Sequence, residues 1–302
     1  MTKLKNWRNL TVMNKENRTL NEALVQASFF LHKHGIDPDL ARYYWMELFE
    51  WDLTHLVKML HQPISNTMVS DYKLVLRRIV GHEPIQYITG KAYFMGQYYR
   101  VTPATLIPRE ETQGLIQRGV AYLSNQSTAQ VLDIGTGSGI IAINMKMTRP
   151  KDQVWAVDIS PEAIEVAKIN AKERQIDIHF RCSNLLDKIE KDQTFDLVLA
   201  NLPYIGYEEM DYMDESVKRF EPSQALYAGD DGMDLYKLLA SKLDAHMKQS
   251  SLAVFEFGFR QGEKMLQLFK KYFPNDTVWI EQDLSGNDRY LMLKKLRRNH
   301  EN

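Results

Sequence analysis

Apolar segments of strand length alternate with helical segments along the chain from residue 130 to residue 293. Parallel strands need long crossover connections, and helices in those connections cover both faces of the sheet. The last two strands are instead joined by the short turn Ser285-Gly286-Asn287-Asp288, which suits an antiparallel pair. The expected strands are 131–134, 154–157, 178–182, 195–200, 253–257, 278–281 and 289–293. The alternation predicts an α/β fold with a mostly parallel sheet and an antiparallel terminal strand.

The residues before this alternation carry helical patterns. Apolar residues recur there at three- and four-residue spacing, and Gly35 suits the left-handed cap that ends the first helix. The aromatic cluster Tyr43-Tyr44-Trp45-Met46 is better explained by core packing than by a partner-binding face. Helices are expected over residues 20–31, 37–49, 53–60 and 65–80. The sequence therefore predicts a small N-terminal helical bundle.

The composition changes at Gly81. Residues 85–101 are rich in Tyr, Phe, Ile and Val, which predicts a β-hairpin. A helix is expected to start within 107–112, where Arg109 is a cation at the unfavourable end of the helix dipole. Arg109 is therefore a candidate for substrate contact. The predicted parts are the bundle at 1–82, a hairpin linker at 83–106 and the α/β domain at 107–302.

Net charge and cysteine content narrow the class of protein. The formal net charge is -1, so no global field recruits nucleic acid. Cys182 is the only cysteine, which excludes an internal disulfide; it is expected to be a buried core residue, and no metal site is predicted. The segment Met1–Asn14 is polar and no apolar run reaches membrane-spanning length, so a cytoplasmic protein is expected. The basic tail Lys294–Arg298 is interpreted as a solvated terminus.

A glycine loop follows the first strand of the α/β region, with the sequence Gly135-Thr136-Gly137-Ser138-Gly139. Glycines at a strand-to-helix turn let a ligand approach the backbone closely. The dinucleotide fingerprint is G-x-G-x-x-G, whereas the spacing here is G-x-G-x-G. S-adenosylmethionine has no pyrophosphate, so a turn that needs no room for one fits this cofactor better.

Two carboxylates accompany this loop. Asp133 precedes it and is available to the ammonium group of the cofactor. Asp158 ends the second strand, where a carboxylate can accept both hydrogen bonds of a ribose diol. The alternative for Asp158 is a helix cap, but Ser160 already suits that role.

The segment Asn201-Leu202-Pro203-Tyr204 ends a buried strand. Asn201 supplies a side-chain oxygen and Leu202 a backbone carbonyl, two acceptors that can hold both N–H bonds of an amide or arylamine. Pro203 stiffens the turn, and Tyr204 offers a flat face to a planar amide or base. An amide or arylamine nitrogen held in this way can be aligned with an activated methyl group, and the transfer needs no strong base.

The chain resembles the release factor glutamine methyltransferases, the PrmC/HemK family, along nearly its full length. The resemblance implies a seven-stranded, Rossmann-like methyltransferase domain behind an N-terminal helical domain. Because the helical bundle precedes a complete catalytic domain, it is expected to recognise the substrate. The resemblance also implies methylation, at N5, of the glutamine in the Gly-Gly-Gln motif of class 1 peptide chain release factors. The motifs that carry it are Gly81–Gly90, Leu106–Arg109, Gly135–Gly139, Val157-Asp158, Asn201–Tyr204, Arg219–Pro222, Ala225-Leu226 and Glu256–Gly258 with Gln261.

By position, the resemblance assigns cofactor contacts to Gly135–Gly139, Asp158 and Leu185, and both cofactor and substrate contacts to Asn201. Three positions depart from the family pattern. Leu202 replaces the first proline of Asn-Pro-Pro-Tyr, Asn184 replaces an acidic residue before the adenine contact, and Glu110 replaces a proline. A main-chain acceptor at position 202 should survive its substitution. The enzyme is expected to act as a monomer, without membrane or direct nucleic-acid contact.

The alternative is an adenine-N6 methyltransferase acting on DNA or ribosomal RNA, which would use the same geometry on an exocyclic amine. Such an enzyme must capture a base and normally has a basic surface for phosphates. The net charge and the small helical domain argue against it. A catalytically silent binding protein would leave Asn201 and Tyr204 without a purpose.

Overall fold

The structure, a computed structural model, describes residues 18–207 and 213–297. The chain divides into two compact units between Thr89 and Gly90, a boundary inside the predicted linker at 83–106. Met1–Asn14 and Arg298 lie outside the described residues. None of the helices in the two described ranges combines the length and apolarity needed to cross a membrane.

The first unit contains five helices among its described residues, and the four predicted from the sequence are confirmed. A capping box between Thr19 and Glu22 begins the first helix. The rings of Tyr44, Trp45 and Tyr72 pack in the core, and the Tyr72 hydroxyl donates to the Ala41 carbonyl at 2.8 Å. Core packing thus accounts for Tyr44 and Trp45. The helices are α1 (Leu20–Lys33), α2 (Leu40–Phe49), α3 (Leu53–Met59), α4 (Asn66–Val80) and α5 (Ile85–Thr89).

The predicted hairpin is shorter than residues 85–101. Residues 85–89 form α5, because Pro84 starts a helical turn and Ile85 is buried in the core of the first unit. The hairpin strands are β1 (Lys91–Phe94) and β2 (Gln97–Arg100). They belong to the second unit, where the Asn170 side chain exchanges two hydrogen bonds with the Arg100 backbone, at 2.8 and 3.0 Å.

The second unit contains a seven-stranded sheet in the order β5-β4-β3-β6-β7-β9-β8. All neighbouring pairs are parallel except those made by β9, which confirms the predicted fold. The antiparallel strand is the last in sequence but lies between β7 and the edge strand β8. The strands are β3 (Gln130–Ile134), β4 (Gln153–Asp158), β5 (His179–Cys182), β6 (Phe195–Asn201), β7 (Met247–Glu256), β8 (Thr277–Gln282) and β9 (Asp288–Lys294).

Helices cover both faces of this sheet. Alternate residues of β6 contribute to opposite cores, with Val198 and Ala200 in one and Leu197 and Leu199 in the other. The strand is therefore buried on both sides, as the apolar run 197–200 predicts. The helices are α6 (Thr112–Tyr122), α7 (Ile140–Thr148), α8 (Pro161–Glu173), α9 (Glu215–Phe220), α10 (Asp234–Leu243) and α11 (Gly262–Tyr272).

Two expectations about single residues are wrong. Cys182 is exposed, because it ends β5 at the edge of the sheet. Lys295 is only 4% exposed and is no part of a solvated tail. Its ammonium pairs with Asp244 at 2.7 Å and donates to the Met247 carbonyl at 3.0 Å, so it attaches the end of the sheet to the start of β7.

Candidate active site

A cavity of about 530 Å³ opens at the carboxyl edge of the parallel strands. The sheet register brings the ends of β3, β4 and β6 together, since Ile134 pairs with both Val157 and Ala200. Ligands of open α/β sheets bind at this edge. Of the predicted site residues, the cavity lining includes Arg109, Gly135, Thr136, Gly137, Ser138, Asp158, Asn184, Leu185, Asn201, Leu202 and Pro203. Asp133, Gly139 and Tyr204 are outside this lining.

Most N–H groups of the glycine loop form hydrogen bonds within the protein and do not face the cavity. Gly137 has φ +54° and open space where a Cβ would lie, so a ligand can approach its backbone. Gly139 packs instead against Ala167 of α8. Four of the five loop amides form hydrogen bonds within the protein, so the loop does not present the row of free amides that cradles a pyrophosphate, in agreement with its G-x-G-x-G spacing. The internal bonds run from Gly135 and Thr136 to the Val157 carbonyl (2.9 and 3.0 Å), from Gly137 to the Asp158 carboxylate (2.9 Å) and from Gly139 to the Thr136 carbonyl (2.8 Å).

Asp133 lies beneath the loop and is fully buried. Its Oδ2 accepts hydrogen bonds from the Thr136 hydroxyl at 2.6 Å and the Ala142 amide at 3.1 Å. It therefore caps α7, whose preceding residue is a glycine without a capping side chain. Burial raises the pKa of Asp133 to about 7. Its predicted contact with the cofactor ammonium stays a prediction.

Asp158 lies at the cavity and also holds the loop. Its carboxylate accepts from the Gly137 amide and the Ser160 amide, both at 2.9 Å. Ser160 is the cap of α8, since its hydroxyl accepts from the Ala163 amide at 3.1 Å. Burial raises the pKa of Asp158, and the backbone hydrogen bonds oppose that shift. A carboxylate fixed on one side by backbone amides presents its remaining lone pairs to a ligand.

The turn after β5 supplies the wall next to Asp158. Ser183 donates from its hydroxyl to the Leu185 carbonyl at 2.9 Å, and Leu185 adopts a left-handed conformation with φ +48°. The Leu185 side chain is buried, whereas Asn184 is exposed at the rim. The turn thus presents an apolar surface to the cavity with a neutral amide beside it.

Asn201 ends β6 and lines the cavity. Its Nδ2 donates to the Thr112 hydroxyl at 3.1 Å, and that hydroxyl donates to Oε2 of Glu256 at 2.9 Å. Glu256 ends β7 and is paired with Asn201 in the sheet register. The Asn201 amide is therefore held from behind by two buried side chains.

The next residue, Leu202, has a backbone that is held on one side only. Its N–H donates to the Tyr236 hydroxyl at 3.3 Å. No hydrogen bond reaches its carbonyl from residues 18–207 and 213–297. Its side chain is 2% exposed and packs beneath Gly135. Leu202 therefore leaves a free acceptor at the cavity and supports the glycine loop, a contact that the sequence did not reveal.

Tyr204 packs against the core of the second unit. Its carbonyl accepts from Nε2 of Gln261 at 2.7 Å, while Oε1 of Gln261 accepts from the Gly258 amide at 3.1 Å. Burial raises the pKa of the Tyr204 phenol. The predicted flat face for the substrate stays a prediction, whereas the main chain of Tyr204 is fixed by the segment after β7.

Arg109 precedes α6, which begins at Thr112. Its guanidinium pairs with Oε1 of Glu221 at 2.5 Å, and Oε2 of the same carboxylate accepts from the Ile107 amide at 3.2 Å. The Glu221 side chain is 1% exposed and that of Arg109 is 35% exposed. Glu221 compensates the positive charge of Arg109 and holds its guanidinium at the cavity wall.

Sequence reasoning missed the roles of Thr112, Glu221 and Glu256. Glu221 and Glu256 stand in motifs that were recognised only as family resemblance, Arg219–Pro222 and Glu256–Gly258. A buried acidic residue within such a motif was the available signal, because a buried charge needs a partner. The partners could not be inferred, since they lie 112 residues (Arg109 and Glu221) and 144 residues (Thr112 and Glu256) apart.

Two family models match the chain. Residues 22–90 match the PrmC N-terminal domain, and residues 118–220 match the methyltransferase small domain. The release factor glutamine methyltransferase of Enterococcus faecalis is 36% identical over 269 residues, which cover 89% of this chain and 96% of that protein. The chain belongs to the release factor glutamine methyltransferase family. The enzyme of the same name from Staphylococcus aureus is 34% identical, with 90% of this chain and 98% of that protein covered.

A solved structure of a protein-(glutamine-N5) methyltransferase from Alicyclobacillus acidocaldarius has a TM-score of 0.40 and 24% identity, covering 66% of this chain and 99% of that chain. As a member of the release factor glutamine methyltransferase family, the chain is a methyltransferase, and its methyl donor is S-adenosylmethionine. The residues of the cavity fit this donor. Gly137 leaves space for a close approach, Asp158 offers a carboxylate, and the loop lacks a pyrophosphate cradle.

Proposed function

We propose that the chain transfers a methyl group from S-adenosylmethionine to N5 of the glutamine in the Gly-Gly-Gln motif of class 1 peptide chain release factors. The observation that carries the proposal is the pair of acceptors after β6. The Asn201 side chain lines the cavity, and the carbonyl of Leu202 follows it without a hydrogen bond from the described residues. The names of the relatives support a release factor as the acceptor.

The acceptor pair suits an amide substrate. An amide nitrogen is a poor nucleophile, because its lone pair is delocalised into the carbonyl group. S-adenosylmethionine supplies an activated methyl group, since its carbon is bound to a sulfonium that leaves as a neutral thioether. Oδ1 of Asn201 and the Leu202 carbonyl would hold the two N–H bonds, so that the nitrogen pyramidalises and its lone pair is aligned for transfer. A strong base is not required, because the charged product can lose its proton afterwards.

The remaining predicted site residues have supporting roles in this proposal. Pro203 lines the cavity and stiffens the turn, and Tyr204 completes the substrate site through its fixed main chain and its ring. Arg109 contacts the substrate from the cavity wall, supported by its ion pair with Glu221. A guanidinium that keeps one edge free can donate to a peptide carbonyl.

The cofactor residues surround the same cavity. Gly135, Thr136, Gly137 and Ser138 would contact the methionine part, and Asp158 would accept from the ribose hydroxyls. Asn184 and Leu185 would flank the adenine, with the buried Leu185 as the apolar surface. Asn201 would contact both cofactor and substrate. Asp133 and Gly139 support the loop from below, and the Asp133 carboxylate would attract the cofactor ammonium.

The helical unit has a role in recognition in this proposal. It precedes a catalytic unit that is compact by itself, and its residues match the PrmC N-terminal domain. We expect the enzyme to act as a monomer in the cytoplasm, without nucleic-acid contact. Deletion of residues 1–80 should reduce activity on intact release factor more than affinity for S-adenosylmethionine, which also reports whether the remaining unit is folded. An unchanged rate on the protein substrate would contradict this role.

The deciding experiment offers two acceptors at once. The protein is incubated with labelled S-adenosylmethionine, a release factor and ribosomal RNA, and the label is located by mass spectrometry. Label on the Gly-Gly-Gln glutamine supports the proposal, and label only on adenine would support the nucleic-acid alternative. Asn201→Ala removes one acceptor and should cost about 2 to 3 kcal/mol of transition-state stabilisation, by analogy with the loss of one oxyanion-hole donor. A near-wild-type rate would contradict the role of Asn201.

A further inference from the structure

The hydrogen bonds behind Asn201 determine which end of its amide faces the cavity. Thr112 has one hydroxyl hydrogen and lies between Nδ2 of Asn201 at 3.1 Å and Oε2 of Glu256 at 2.9 Å. An ionised carboxylate can only accept hydrogen bonds. The single hydrogen of Thr112 therefore goes to Glu256, and the Thr112 oxygen is left to accept.

The neighbour of that oxygen must then be a donor. The amide of Asn201 has a donating end, Nδ2, and an accepting end, Oδ1. Rotating the amide by half a turn would place Oδ1 against the lone pairs of the Thr112 oxygen. The two hydrogen bonds, from Asn201 to Thr112 and from Thr112 to Glu256, therefore direct Oδ1 of Asn201 away from Thr112. Because Asn201 lines the cavity, Oδ1 is the end of the amide that is left for a ligand.

Burial strengthens the hydrogen bonds that orient the Asn201 amide. Thr112 is 2% exposed and Glu256 is 1% exposed, so water competes little for their hydrogen bonds. The groups are brought together by the fold, because Asn201 and Glu256 end adjacent parallel strands and Thr112 begins α6.

We infer that Thr112 and Glu256 are positioning residues for the reaction, which orient the Asn201 amide so that its oxygen, and not its nitrogen, receives an N–H of the substrate. The inference rests on the proposed function, since it assigns Asn201 the part of an acceptor. Thr112 also lines the cavity, whereas Glu256 is not part of its lining, and the inference gives both residues a role through Asn201. With Glu256 neutral, its hydrogen can go to Thr112, and the Thr112 hydrogen can then go to Asn201 and favour the opposite orientation.

The charge state of Glu256 therefore matters. Burial raises the pKa of Glu256 to about 7, and the attraction of Arg289 and the hydrogen bonds from Thr112 and from Asn201 itself oppose that shift. The other titratable groups that act on it are Glu111, which raises the pKa further, and the phenols of Tyr204, Tyr236 and Tyr290. The orientation suited to transfer should be lost as the pH falls through the pKa of Glu256.

The test compares variants of the full-length enzyme in the transfer of label to release-factor glutamine. Thr112→Val keeps the shape of the side chain but removes its hydroxyl, and kcat should fall about 10- to 100-fold, the range found when groups that orient a catalytic ligand are removed. Thr112→Ser restores the hydroxyl and should recover most of kcat. Glu256→Gln can donate to Thr112, so kcat should fall and the loss of kcat below pH 7 should disappear.

A merely structural role would give a different result. Calorimetry should find that the affinity of Thr112→Val for S-adenosylmethionine falls less than its kcat, and its KM for the release factor should also change less than its kcat. Equal kcat for Thr112→Val and wild type would overturn the inference, even if Glu256→Gln fails to fold. If wild-type enzyme transfers no label to the glutamine, the proposed function fails first, and the inference fails with it.

Discussion

A Cβ on Gly135 would lie 2.9 Å from Cδ2 of Leu202. The glycine loop that follows β3 and the acceptor turn that follows β6 are therefore in direct contact. The position of Leu202 determines where its free carbonyl lies, so displacement of the loop also displaces the acceptor. We expect cofactor binding and substrate alignment to be coupled through this contact.

Gly135→Ala should damage both halves of the site. The residue has φ +74°, and its new methyl group would meet the buried side chain of Leu202. We expect at least about a tenfold loss of affinity for S-adenosylmethionine, equivalent to about 1.4 kcal/mol, measured by calorimetry. Gly286→Ala is the matched control, because Gly286 has φ +80° but no atom lies within 4 Å of a Cβ there. Equal loss of affinity in the two variants would show that a general effect on the fold, and not the contact with Leu202, is responsible.

The local sequence motifs predicted which residues line the site, but not the residues that hold them in place. Strand periodicity and the glycine spacing placed Gly135, Asp158 and Asn201 at one sheet edge, because the carboxyl ends of parallel strands meet there. The partners of these motifs follow from tertiary packing. Thr112 lies 89 residues from Asn201 in the chain, and no periodicity relates two such positions. The role of Asp133 was also not predictable from its position. An acidic residue before a glycine loop can contact a ligand, but it can equally cap the helix that follows the loop, as Asp133 does for α7.

Predictions from short-range patterns were also wrong where tertiary packing buries the segment. Residues 85–89 have strand-like composition, but Pro84 and the core of the first unit make them helical. Lys295 belongs to a basic run, yet its ammonium is enclosed by Asp244 and the Met247 carbonyl. Both cases require knowledge of what packs against the segment, which a single sequence does not contain.

Arg109 and Glu221 should show measurable coupling. Removal of Arg109 leaves a carboxylate that is 1% exposed without its counter-charge. Because Arg109 itself is 35% exposed, solvent screens part of the interaction, and we expect a coupling of about 1 to 3 kcal/mol. A double-mutant cycle of Arg109→Ala and Glu221→Ala in urea denaturation measures it. The exposed pair Lys168 and Glu165 is the control and should give less than about 0.5 kcal/mol.

Asp158→Asn separates ligand binding from helix capping. An asparagine has one accepting oxygen, so it cannot keep the bonds from Gly137 and Ser160 and also accept from a ribose diol. We expect the affinity for S-adenosylmethionine to fall at least about tenfold. Ser160→Ala removes the cap of α8 and should cost about 1 kcal/mol of stability with little change in that affinity. Unchanged affinity in Asp158→Asn would contradict the proposed ribose contact.

The buried carboxyl of Asp133 should make stability depend on pH. Burial and the nearby charge of Asp158 raise its pKa to about 7 from an ordinary value of 3.8, although the Thr136 and Ala142 hydrogen bonds oppose the shift. A carboxyl whose pKa is raised by folding contributes stability that is complete below the unfolded pKa and is lost as the pH rises through the folded pKa. Asp133 should therefore lower the free energy of unfolding between pH 4 and pH 7, by up to about 1.4 kcal/mol per pH unit.

Urea denaturation of wild type and Asp133→Asn between pH 5 and pH 8 measures this contribution. The variant should show a smaller decrease of unfolding free energy with pH, since an amide has no proton to lose. Glu256, whose pKa is also raised to about 7, adds a decrease of the same sign, so Asp133→Asn with Glu256→Gln should flatten the profile further. A single variant as steep as wild type would mean that Asp133 ionises as readily in the folded chain as in the unfolded one.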